Sequence, residues 1–198
     1  MSDPRIDPAL TLYLQDPRGA GQDLESQAMP VVYEELRSIA EASLRHARRA
    51  EDLQPTALVH EAYVKLLGDH GSQVRDRKHF YALAAKAMRQ LSVDHARARK
   101  AQKRGGDRAA VTLDEAVAHC AGLPLDMLDL DEALSELADL DPREARVVEL
   151  RFFAGLSMEE IADALEVSVP TVEREWRAAR AWLGRRLGAE DDTGAREG

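Results

Sequence analysis

Between Asp141 and Leu183 the sequence spells three helices joined by turns so short that each helix must pack on the next. Asp141-Pro142 opens the first: aspartate can cap it, and proline at the first helical position has no N–H to waste. Val147, Val148, Leu150 and Phe153 then give it one apolar face before Gly155. Ser157, with Glu160 three residues on, forms a capping-box pattern for the second helix, which carries Ile161, Ala162 and Leu165 on one side. Glu166-Val167-Ser168 turns into the third, with Val172, Trp176, Ala179 and Leu183. A helix-turn-helix needs a small residue where its helices cross, apolar residues around the turn and a β-branched anchor beyond it. Ala162, Leu165, Val167 and Val172 supply these, while Glu166 stands where glycine is usual.

On the third helix Arg174, Arg177 and Arg180 recur at threes and share roughly one face, opposite Val172 and Trp176. Such a face suits phosphates and base edges in a major groove. Glu173 and Glu175 bring negative charge to the same helix, and the competing reading is a plain α-hairpin with a solvated charged face.

Upstream the helical period continues. Leu24, Ala28, Val31, Val32, Leu36, Ile39, Ala40, Ser43 and Ala47 form one stripe, which Pro30 must kink or begin. Pro55 starts a second helix through Leu58, Val59, Ala62, Tyr63, Leu66 and Leu67, stopped by Gly68. A third, about His79 to Lys100, turns Phe80, Leu83, Ala84, Ala87, Met88 and Leu91 inward, with Phe80 read as a core residue. Lys86, Arg89, Arg97 and Lys100 make a basic stripe on another face. Leu130, Leu134, Leu137 and Leu140 resume the pattern. With aromatic content of 5% and much Ala, Leu, Glu and Arg, the 198 residues read as an all-α chain of two small helical modules.

The net charge of −9 is segregated. Arg75 to Arg108 holds eleven Lys and Arg against Asp76, Asp94 and Asp107, whereas Ala109 to Pro142 holds nine acids and no Lys or Arg. The expected division is a tail at 1–23, a basic module at 24–104, an acidic flexible linker at 105–129, a helix-turn-helix module at 130–188 and a tail at 189–198. The acidic stretch is either a disordered spacer or a segment repelled by duplex that can lie along a basic path of a partner.

Other functions find no support in the residues. No apolar run approaches the ~20 residues of a membrane span, and Met1-Ser2-Asp3-Pro4 has no signal-peptide character, so a cytoplasmic protein without membrane contact is expected. Cys120 is the only cysteine, read as inert in a reducing compartment. His60-Glu61 lacks the second histidine of a zinc-protease helix, since Val64 stands there. Neither a nucleophile elbow nor a phosphate loop is present. The reading is no enzyme, no metal, no cofactor and no small-molecule substrate.

Asp141 to Ala162 resembles region 4 of the sigma-70 superfamily, and Val169-Pro170-Thr171-Val172 resembles the opening of its recognition helix. Leu58-Val59-His60-Glu61-Ala62-Tyr63-Val64-Lys65-Leu66-Leu67 resembles the region 2.2 helix that docks on the coiled coil of the polymerase's largest subunit. Phe80-Tyr81 and the basic helix resemble regions 2.3 and 2.4, although Leu83 stands where many relatives carry Trp. Nothing resembles regions 1.1 or 3, so the resemblance is to the two-domain, extracytoplasmic-function type. It implies a promoter-specific initiation factor with core RNA polymerase and promoter DNA as partners. It implies polymerase contacts at Leu58, Glu61 and Lys65. For DNA it implies Arg75, Arg77, His79, Tyr81, Lys86, Arg89, Arg97 and Lys100 at the minus-ten element, and Thr171, Arg174, Arg177 and Arg180 at the minus-thirty-five element. The acidic stretch would then face the RNA-exit path. A free-standing helix-turn-helix regulator is the alternative. Thr56 and Ala57 stand where most relatives carry paired acids, which makes Thr56 a candidate phosphorylation site and a Ser/Thr kinase, beside an anti-sigma factor, a candidate regulator.

Overall fold

The computed structural model describes residues 22–45, 55–68, 76–102, 110–111 and 125–194. Helix α1 (Gln22–Arg45) buries Ala28, Val32, Leu36, Ile39 and Ala40 along one stripe. It begins before Pro30 and runs through it. The proline faces solvent, and the carbonyl it leaves unpaired belongs to exposed Ser26, where water can serve it. Helix α2 (Pro55–Tyr63) passes into a π turn at Val64–Gly68, and Leu58, Val59, Ala62 and Leu66 seal it against α1. The Tyr63 hydroxyl donates to Met29 Sδ at 3.2 Å.

Helix α3 (Arg77–Gln102) is opened by Asp76, whose carboxylate accepts from the His79 N–H at 2.8 Å. Phe80, Ala84, Met88 and Leu91 point into the core, with Phe80 fully buried.

The second group is α4 (Met127–Leu140), α5 (Pro142–Phe152), α6 (Met158–Leu165) and α7 (Val169–Gly194). The caps read from the sequence are in place. Asp141 accepts from the N–H groups of Arg143 and Glu144, and the Ser157–Glu160 capping box closes in both directions. Val172, Trp176, Ala179, Leu183 and Leu187 bury one side of α7 against α4, α5 and α6.

Two features differ from expectation. Met127, Leu128 and Asp129 form the first turn of α4, because Met127 extends the stripe of Leu130, Leu134 and Leu137 by one turn and Asp126 caps it. The earlier start adds Asp129 to the helix expected from Leu130, which carries Asp131, Glu132, Glu136 and Asp139, while exposed Leu140 falls outside its buried stripe and Asp114 and Glu115 lie outside the described residues. A two-residue antiparallel pairing, β1 (Ala110–Val111) with β2 (Leu125–Asp126), is the departure from helix among the described residues. Helix α3 packs on α1 and α2 and also on α4, α5 and α6, so one apolar body runs through both groups.

Candidate nucleic-acid interface

The turn between α6 and α7 is built by Glu166, which adopts the left-handed conformation at φ 57° and ψ 41°. That lets the Val167 N–H reach the Ala162 carbonyl at 3.0 Å and sends the chain into α7. Ser168 then accepts from the Thr171 N–H through its carbonyl at 2.9 Å, and the two hydroxyls lie 2.8 Å apart. Arg174 and Arg177 project into solvent, and Thr171 and Arg180 are half-buried.

Glu175 does not share that surface. It is 4% exposed and ion-pairs with Arg143 of α5 and, at 3.9 Å, with Arg174. Its charge is shared between Arg143 and Arg174, so of the two acids that qualify the arginine face only Glu173 is exposed. Burial, then the nearby Asp141 and Glu175 carboxylates, push the neighbouring Glu144 carboxyl above its ordinary range. At the other end of α7 the Arg186 guanidinium forks onto Glu136 of α4 at 2.8 and 2.7 Å, and that hydrogen bonding holds Glu136 below the usual carboxylate range.

On α3, Lys86, Arg97 and Lys100 are exposed, with Arg97 3.8 Å from Asp94. His79 is half-buried at the first turn. Arg77 opens the helix, and Arg75 lies outside the described residues. Tyr81 is buried, its hydroxyl donating to Glu35 at 2.8 Å.

Arg89, from the middle of the basic stripe, faces the second helical group. Its side chain is 12% exposed. Nε donates to Asp131 Oδ1 at 2.8 Å, Nη1 to Glu149 Oε1 at 2.8 Å, and Nη2 to the Asp131 carbonyl and Ser135 Oγ at 2.7 and 2.8 Å. Near the start of α3, Lys78 lies 3.6 Å from Asp163 and 3.3 Å from Glu166. A cleft of about 470 Å³ opens beside the Arg89 cluster, lined by Lys65, Lys86, Arg89 and Arg97 together with Asp131 and Glu149. The partners of Arg89 were not foreseeable from the α3 pattern. The available signal was charge complementarity between a basic helix and the acidic stretch that follows it.

On α2, Thr56 is exposed in a first turn that contains no acid. Leu58 is 1% exposed, so it anchors the helix from beneath. Glu61 meets His95 of α3 at 3.3 Å, and Lys65 is exposed at the cleft.

The family model described as ECF sigma factor matches residues 10–189. No curated protein and no solved structure matches the chain.

Proposed function

The chain belongs to the ECF sigma factor family and is thus a promoter-specific transcription initiation factor that directs RNA polymerase, and we propose a division of that work among its surfaces. The observation that carries the proposal is the pair Arg174 and Arg177, exposed on the second helix of a closed helix-turn-helix in which the buried acid Glu175 pairs with Arg143 of α5 and with Arg174. Arg174, Arg177 and Arg180, with Thr171, address the minus-thirty-five element, a bidentate arginine on guanine being the usual means of major-groove reading.

Exposed Lys86, Arg97 and Lys100 hold the minus-ten region through phosphates, with Arg77 and His79 in the first turn of the same helix and Arg75, which lies outside the described residues, before them in the sequence. Tyr81 and Arg89 join them only if they exchange their present partners. Glu61 and Lys65 meet core polymerase on a helix that Leu58 seats. These roles follow the division into a basic module at 24–104 and a helix-turn-helix module at 130–188. They need binding alone, with no catalytic step, and a cytoplasmic site of action suits them. Among the described residues no helix is long and apolar enough to cross a membrane. A free-standing regulator is not favoured, because the family match spans both helical groups.

Thr56 is the proposed point of control by a Ser/Thr kinase. A phosphate there would add about −1.5 to −2 charges in an exposed first turn that lacks an acid, where the helix dipole favours anions. An anti-sigma factor is the other route.

Run-off transcription with purified core enzyme on genomic fragments tests the reading, with a native gel shift beside it. Initiation at discrete sites that needs both chain and core is the expected result, with little duplex bound by the chain alone. Tight operator binding without core would instead favour the regulator. Full activity of unmodified chain, equal to that of Thr56→Glu, would remove the kinase.

A further inference from the structure

The cleft beside Arg89 has a floor, a wall and a rim of different chemistry. On α3, Lys86, Gln90, Val93 and Arg97 recur at helical spacing, so they stand in one row along its wall. Lys65 faces them from the π turn at Val64–Gly68, an interruption of a kind that is frequent where helices build a site. The floor is Arg89 with Asp131 and Glu149, and it is satisfied within itself. Arg89 donates to both carboxylates at 2.8 Å, and Arg146 donates to the second oxygen of Glu149 at 3.1 Å.

The charge that meets an incoming ligand is therefore set by the rim. Lys65 and Lys86 are exposed and have no ion pair among the described residues. Arg97 has Asp94 at 3.8 Å, but both side chains are more than half exposed and water screens the pair. Three cations thus stand over a neutralised floor, an arrangement that draws an anion of more than one charge. The volume of about 470 Å³ lies within the ~300–1,000 Å³ of small-ligand sites and exceeds what a lone phosphate fills. Gln90 and Val93 add what a phosphate chain does not need. One is a carboxamide that both donates and accepts, as the edge of a nucleobase requires, and the other is an apolar surface for its face.

We propose that this cleft binds a nucleoside polyphosphate, with Lys65, Lys86 and Arg97 on the phosphates and Gln90 on the base. The site stands apart from the reading of α3 as a DNA face. The two share Lys86 and Arg97, however, so where that reading holds, bound nucleotide and a minus-ten strand exclude one another.

The test is isothermal titration calorimetry on the full-length chain without polymerase, with ATP and, separately, inorganic triphosphate as titrants. ATP is expected to bind one to one and more tightly than triphosphate. Lys65→Gln and Lys86→Gln should each weaken it roughly tenfold, the loss of one charge-assisted hydrogen bond. Gln90→Ala should remove the advantage of ATP over triphosphate and leave triphosphate binding as it was. Arg37→Gln removes the same charge from an exposed position of α1 and serves as control. All four replaced side chains are exposed, so the fold tolerates the changes. Absence of binding at millimolar ATP overturns the site. Equal weakening by Arg37→Gln marks a general charge effect and overturns it too. Triphosphate bound as tightly as ATP overturns the nucleoside assignment. Fluorescence anisotropy of a labelled forked duplex at low salt separates this inference from the DNA reading. Release of the duplex by ATP supports both, whereas ATP bound without release upholds the cleft and removes Lys86 and Arg97 from the minus-ten contacts.

Discussion

Glu166 has two roles that pull in opposite directions. Its left-handed backbone is strained for any residue with a Cβ, yet its carboxylate reaches Lys78 on α3. Glu166→Gly is expected to raise the stability of the chain by about 0.5–1 kcal/mol, the relief of strain outweighing the greater freedom of the unfolded chain, as a thermal melt will show. The sequence exposed half of this, since a glutamate at a glycine position is visible, but its partner 88 residues away is not. Glu175 was legible in principle: it lies three residues after Val172 and next to Trp176, so the helical phase turns it toward the core. Glu144 carries a consequence for pH. Its carboxyl is raised in the folded chain, so the folded form favours the proton; that stability is complete below the unfolded value and is lost as pH rises through the folded one. Glu144→Gln should therefore stabilise the chain at neutral pH, with an advantage that disappears in acid below about pH 4, measured by melts across that range.

At the scale of helices, caps and periods carried most of the information. Asp76, Asp141 and Ser157 each begin a helix with the hydrogen bonds their side chains permit. The start of α4 was less legible, because Gly122 and Pro124 draw the boundary late and the acids around Met127 read as solvated coil. Helix α7 has the clearest functional division, with Val172, Trp176, Ala179 and Leu183 inside and Arg174 and Arg177 outside. Alanine at a base-reading arginine should cost ~1–3 kcal/mol of promoter discrimination, and at a phosphate-contacting one should weaken all promoters evenly. Core binding should be unchanged in either case. Run-off assays on matched and mismatched promoters, alongside pull-downs with core enzyme, separate these outcomes.

For the whole molecule, the sequence indicated two groups of helices and their order but not that they pack together. A period reports which face of a helix is buried and never which distant helix covers it, so Arg89 read as one more member of an exposed stripe. Because α3 belongs to the packing of both groups, the chain is expected to unfold in a single calorimetric transition. The four-point hold on Arg89 also has an evolutionary signature. An arginine kept for DNA alone would persist whatever residues stood at 131 and 149. One kept for this contact should be lost or replaced in the same lineages that lose those two acids, so the three positions should change together through the family's descent.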